Sequence, residues 1–320
     1  MARLATLLAA ALLWGCAASA PHPEAFAFGV MGDTPYNDAE ERHFVAMIER
    51  MNREPLAFVV HVGDFKGGGD CSDALYAKRR EQFDRSTHPL VYTPGDNEWA
   101  DCRRPYMGSM DPIERLARLR QVFFSDRWTL GAKRFETEAQ DGCLAPAVPE
   151  CGCAAQPENR AWAHAGVRFV TLNIPGSNNN VGFDAASDRE AACRDEANRR
   201  WLARAAEAAA APGTRALVVM IQANPWDTYT RAPVYAKFLA QMREVAQRLA
   251  RPVLLVHGDT HLYRFDHPFS DALGQPLANP RRLETYGSPF VGWVKVTVDP
   301  QAPDLFRAEP HVVGFVPPTR

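Results

Sequence analysis

Gly-Asp occurs four times at the end of an apolar run: Gly32-Asp33 in G-D-T-P, Gly63-Asp64 in G-D-F-K, Gly95-Asp96 in G-D-N-E and Gly258-Asp259 in G-D-T-H. Glycine permits a sharp turn where a strand ends, and the carboxylate that follows is delivered to the sheet's C-terminal edge. Carboxylates gathered on one edge repel one another unless a cation or a basic ligand sits between them. One such turn is commonplace. Four in parallel positions predict a metal site built largely from oxygen ligands.

The runs that must position them read as strands: Phe26 to Met31, Phe58 to Val62, Leu90 to Tyr92 and Val253 to Val256. Between them, apolar residues at helical spacing predict helices over 38–52, 74–83, 113–124, 189–211 and 234–249. Residues 162–173 read as a hairpin turning at Gly166, residues 216–221 and 290–298 as further strands, and 131–160 as a cysteine-containing surface insertion. Strands alternating with helices predict an α/β domain with its helices outside the sheets.

In order and spacing these turns resemble the motif series of the calcineurin-like metallophosphoesterases: D-x-H, G-D, G-N-H-D/E, H and G-H-x-H. Here the series reads Asp33-Thr34-Pro35, Gly63-Asp64, Gly95-Asp96-Asn97-Glu98, Gln222-Ala223-Asn224-Pro225 and Gly258-Asp259-Thr260-His261. The resemblance implies a four-layer α-β-β-α sandwich of two mixed sheets flanked by helices, spanning 24–320. It also implies two divalent ions that activate a water against a phosphoester. Carried over by position, the metal ligands are Asp33, Asp64 as the bridge, Asp96, Asp259, His261 and the amide oxygen of Gln222 or Asn224. Asn97 and His261 take catalytic places, with His257 as a substitute imidazole.

The departures change the chemistry. Pro35 stands where the family has a ligating histidine, Asn97 cannot titrate, and Gln222 and Asp259 replace imidazoles. Carboxylate and amide oxygens favour magnesium, manganese or calcium over zinc, so one or two such ions are expected. Lys66 before its glycine run, Arg103, Arg104 and Asn178 are the candidate substrate contacts, the arginines suiting bidentate phosphate binding. Three function classes follow: a phosphoesterase acting on a small phosphoester, a catalytically silent relative that binds a phosphorylated ligand in the cell envelope, or a structural or interaction protein of the envelope on the same scaffold. The serines show no G-x-S-x-G setting, which gives no support to a serine hydrolase.

Composition narrows the partners. A formal net charge of -2 with interspersed charges lacks the basic face of a nucleic-acid binder. Residues 1–20 have the pattern of a signal peptide, with a lipobox-like ending at Cys16 and an A-x-A ending at Ala18-Ser19-Ala20 as competing cleavage sites. Export to the periplasm or lipid anchoring is expected, with membrane contact only through Cys16. The six other cysteines suit up to three disulfides in an oxidising compartment. Cys71 and Cys102, each just past a Gly-Asp turn, are the favoured pair. The remaining four are expected around the insertion and Cys193.

Overall fold

A computed structural model describes residues 24–142, 151, 155–227 and 233–317. The signal pattern with Cys16, and the cysteines at 143 and 153, lie outside the described residues.

The first sheet is built on β1 (Phe26–Met31), β2 (Val59–His61) and β3 (Leu90–Tyr92), which run parallel. Helices α1 (Asp38–Met51), α2 (Asp73–Asp84) and α3 (Pro112–Phe123) accompany these strands. The second sheet has its own parallel centre, β6 (Val167–Thr171), β7 (Ala216–Met220), β8 (Val253–His257) and β10 (Pro280–Glu284). Antiparallel strands β4 (Glu138–Gln140), β5 (Gln156–His164) and β9 (Arg264–Asp266) border it. The chain then returns to the first sheet with β11 (Phe290–Val298), antiparallel to β1, and β12 (Phe306–Phe315). The orders are β12-β11-β1-β2-β3 and β4-β5-β6-β7-β8-β10-β9.

Period-two alternation divides each buried strand between two cores. Phe28, Val30 and Val60 meet Val218, Met220, Leu254 and Val256 between the sheets. Alternate residues Met31 and Val59 face α1, α2 and α3, whereas Leu217, Val219 and Leu255 face α5 (Ala185–Ala210) and α6 (Ala236–Leu249). The result is the α-β-β-α sandwich. Capping side chains fix the starts of the helices: Asn37, Ser72, Asp111 and Asp184 each accept a first-turn backbone N–H.

The 131–160 stretch differs from the expected insertion, because it supplies β4 and the first half of β5. Its polar residues gave no strand pattern because they are buried against polar partners. Glu158 pairs with Arg120 at 2.7 Å, and Asn159 donates to Gln140 and Asn198 at 2.8 and 2.7 Å. Among the described residues, the disulfides Cys71–Cys102 and Cys151–Cys193 staple the fold.

Candidate active site

Asp33, Asp64, Asp96, Gln222 and Asp259 all follow parallel strands at their C-terminal ends, so the two sheets deliver them to a common edge. At three of these positions the aspartate itself is left-handed: φ is 51° at Asp33, 55° at Asp64 and 80° at Asp259. Aspartate tolerates this region better than most side chains. The preceding glycines at 95 and 258 serve close approach. A Cβ on Gly95 would meet Asp64 Oδ1 at 2.1 Å, and one on Gly258 would meet Asp33 Oδ2 at 2.0 Å. Each aspartate therefore packs onto another motif's glycine, interlocking the turns.

The Asp259 amide donates to both Asp33 oxygens at 3.0 and 3.1 Å, and Asp259 Oδ2 accepts from the Asn224 amide at 2.8 Å. Burial and the neighbouring carboxylates push Asp33 and Asp64 well above the usual carboxylate range, and Asp259 up to about 8. Asp96 Oδ1 is buried with no hydrogen-bond donor. Gly176, in the single turn α4 (Gly176–Asn179), lies against it. A Cβ there would meet Asp259 Oδ1 at 2.7 Å and Asp96 Oδ1 at 3.0 Å, so both carboxylate oxygens pack against this glycine.

Asp64 is in a different state. Its Oδ1 accepts the Asn97 amide at 3.0 Å; its Oδ2 accepts from Tyr36 Oη, Asn97 Nδ2 and Gln222 Nε2 at 3.1, 3.0 and 3.2 Å. Gln222 corrects the sequence reading. Its Oε1 accepts the Gly176 N–H at 2.6 Å, which turns the NH₂ toward the carboxylates, so it acts as a donor and not as an oxygen ligand. Among the described residues, no three His, Cys, Asp or Glu side chains form a metal-holding group.

His261 stands beside the cluster, Nε2 3.2 Å from Tyr36 Oη and 3.8 Å from Asp33 Oδ1, with Nδ1 2.6 Å from the Ser288 carbonyl. A carbonyl only accepts, so Nδ1 carries a proton, and the Nε2 lone pair of the neutral ring competes with Asp64 Oδ2 for the single Tyr36 hydroxyl proton. His257 is not part of the site. It shares the outer face of β8 with Val253 and Leu255, lies 6.2 Å from the Trp226 ring, and is held neutral by burial, which lowers it to about 3.

Lys66 is also redirected. Its ammonium donates to the Gly67 and Asn97 carbonyls at 2.7 and 3.1 Å, bracing two motif turns from a buried position. Gly67 packs on the Tyr36 ring, where a Cβ would come within 2.8 Å. Arg103 and Arg104 do reach the margin of the centre. Arg104 pairs with Asp101 at 2.9 Å and donates to Ser177 Oγ at 3.1 Å; Arg103 donates to Asn180 Oδ1 at 3.0 Å. Asn178 lies in the same turn, its Nδ2 donating to the Val181 carbonyl.

Sequence reasoning missed Tyr36, Glu98 and Asp101. Glu98 Oε1 accepts from the Asp64 and Gly95 amides and the Tyr92 hydroxyl at 3.1, 2.8 and 2.7 Å, tying two Gly-Asp turns to β3. Asp101 is pushed up to about 7 by burial and by Asp96 beside it. The G-D-T-P-Y run held a signal for Tyr36, whereas nothing local marks Asp101.

No family model matches the chain, and no curated protein matches it. Solved structures do. A dimetal phosphatase from Danio rerio superposes with a TM-score of 0.55 at 13% identity, covering 91% of this chain and 97% of the other. Vacuolar protein sorting 29 from Cryptosporidium parvum gives a TM-score of 0.33 at 12% identity over 90% and 98%. With its paired mixed sheets, flanking helices and strand-end site, the chain has the metallophosphoesterase fold.

Proposed function

We propose that this protein hydrolyses a small phosphoester at the Asp33–Asp64–Asp96–Asp259 centre, assisted by one hard divalent cation. The observation that carries the reading is the donor-free, buried Asp96 Oδ1, packed like Asp259 Oδ1 against Gly176. Buried carboxylates without a compensating charge favour either a proton or a cation. The residues fit one ion at Asp96 and Asp259, with Asp33 alongside, better than two. Asp64 is the more heavily engaged carboxylate, with three donors on Oδ2 and one on Oδ1, which leaves only part of Oδ1 open to an ion. Two protein carboxylates with remaining positions left to water and phosphate oxygens suit magnesium, which keeps several waters and dispenses with an all-protein cage.

Held by Asp96 and Asp259, such an ion would supply neutralisation of phosphoryl charge and polarisation toward attack by water. The chain's own residues then orient the reaction. Gln222 and Asn97 fix the Asp64 carboxylate through their NH₂ groups, and Tyr36 links Asp64 to His261. In the hydrolysis, the oxygen of water bonds to phosphorus, the bond from phosphorus to the leaving oxygen breaks, and that oxygen takes up a proton.

The test is hydrolysis of p-nitrophenyl phosphate and its diester by purified protein, with added magnesium and with chelator. Turnover that requires magnesium and disappears in Asp96→Asn is expected. Magnesium binding without turnover of either ester would favour the silent phosphate-binding reading, which the three donors on Asp64 Oδ2 support. An exported location is part of the proposal; the signal pattern and the two disulfides support it.

A further inference from the structure

Four successive residues beside the centre, Ser177, Asn178, Asn179 and Asn180, have φ of 43°, 57°, 54° and 64°. Left-handed backbone is disfavoured for residues with a side chain, and a run of it persists only where surroundings over-determine it. Here they do. Fully buried Arg194 donates to Asn179 Oδ1 at 2.6 Å and to the Asn179 carbonyl at 3.0 Å, while Asn179 and Asn180 donate to Asp195 and Glu190 at 2.8 and 3.0 Å. At one end of this turn Gly176 presses on Asp96 and Asp259; at the other, Asn180 holds Arg103.

The Arg103 guanidinium is only half engaged. Nη1 donates to Asn180, and the Phe183 ring lies 3.2 Å from its face, but Nε and Nη2 are buried without an acceptor. Those two N–H groups form the side-on edge that grips a carboxylate or phosphate bidentately. Asn178 Oδ1, in the same turn, is likewise buried without a donor. Arg104, by contrast, is occupied by Asp101, Ser177 and Tyr106.

We propose that the side-on edge of Arg103, presented by the left-handed 177–180 turn, is a second oxyanion subsite, so that the substrate bears a further phosphate or carboxylate besides its scissile phosphoester. This rests on the phosphoester reading above. Phe183, exposed and seated on the guanidinium, lines the subsite and helps orient Arg103.

Calorimetric titration of the full chain tests it, with methylphosphonate as the single-anion probe against ethylenediphosphonate and 3-phosphonopropionate. Wild type should bind one of the two-anion probes at least about tenfold more tightly than methylphosphonate, the gain that a bidentate charged contact supplies. The tighter of the two identifies the second group as phosphate or carboxylate. In Arg103→Lys, which keeps the charge but loses the fork, that ratio should fall toward one. Phe183→Leu, at an exposed position, should lower it severalfold and serves if the arginine variant does not fold. A ratio near one in wild type, or one that survives in both variants, overturns the subsite. Because binding is read without turnover, a preserved ratio alongside absent hydrolysis would refute the hydrolase reading and leave the subsite standing.

Discussion

Gly258 and Asp33, from motifs more than two hundred residues apart, pack so closely that a Cβ on the glycine would lie 2.0 Å from Asp33 Oδ2. Gly258→Ala should therefore displace Asp33, with a loss of about 1–3 kcal/mol in stability from overpacking and a large loss of activity. Gly142→Ala, where a Cβ meets nothing within 4 Å, is the matched control and should stay within about 0.5 kcal/mol of wild type. Urea unfolding of the two variants reads the difference. Equal behaviour would mean that the interlocked turns are not rigid.

Asp96 and Asp64 should separate in metal titration. Asp96→Asn removes the carboxylate whose Oδ1 lacks a donor and should weaken magnesium binding by more than the roughly 10–100-fold typical of a lost supporting contact. Asp64→Asn should abolish turnover by disturbing the Tyr36, Asn97 and Gln222 contacts, while weakening magnesium less than Asp96→Asn does. The reverse order of affinities would restore Asp64 as a bridging ligand.

Glu98 is expected to matter for folding before catalysis. Glu98→Ala leaves the Asp64 amide, the Gly95 amide and the Tyr92 hydroxyl without their shared acceptor, and should destabilise by about 3 kcal/mol or more. Glu98→Gln retains an acceptor oxygen and should lose less. Denaturant midpoints for the pair would reveal whether the carboxylate is structural.

The Cys71–Cys102 bridge spans 31 residues and closes beneath Asn97, whose carbonyl lies 3.7 and 3.8 Å from the two sulfurs. Replacing both cysteines by serine should destabilise by about 3–4 kcal/mol on the loop-entropy estimate. It should also slow turnover, since the bridge ties the turns carrying Asp64 and Asp96. Wild-type stability in the double variant would show that packing alone holds those turns.

Buried His61 predicts an acid sensitivity. Burial lowers it to about 3, from about 6.5 in the unfolded chain. Between these values the unfolded state binds the extra proton, so this contribution is present above the unfolded value and is lost as pH falls toward the folded one. The slope is about 1.4 kcal/mol per pH unit for one proton. His61→Phe should therefore show a shallower loss of unfolding free energy than wild type between pH 6.5 and 4.

The order of the Gly-Asp turns was legible in the sequence because each is local: an apolar run, a glycine and an aspartate at a strand end. That pattern determined the alternating strands and helices and the edge to which Asp33, Asp64, Asp96 and Asp259 are delivered. Cys71 and Cys102 were legible as a pair because both follow turns on that edge. The polar strands β4 and β5 were not, since Glu158 and Asn159 are buried by partners far along the chain. Only the tertiary structure decided which way each polar group faces. Gln222 became a donor because the Gly176 amide, from another strand end, claims its oxygen. Lys66 turned to two carbonyls, His257 followed the outer face of β8, and Asp101 joined Asp96. Side-chain direction at a crowded site depends on donors and acceptors brought together from distant segments, and local sequence does not encode that meeting.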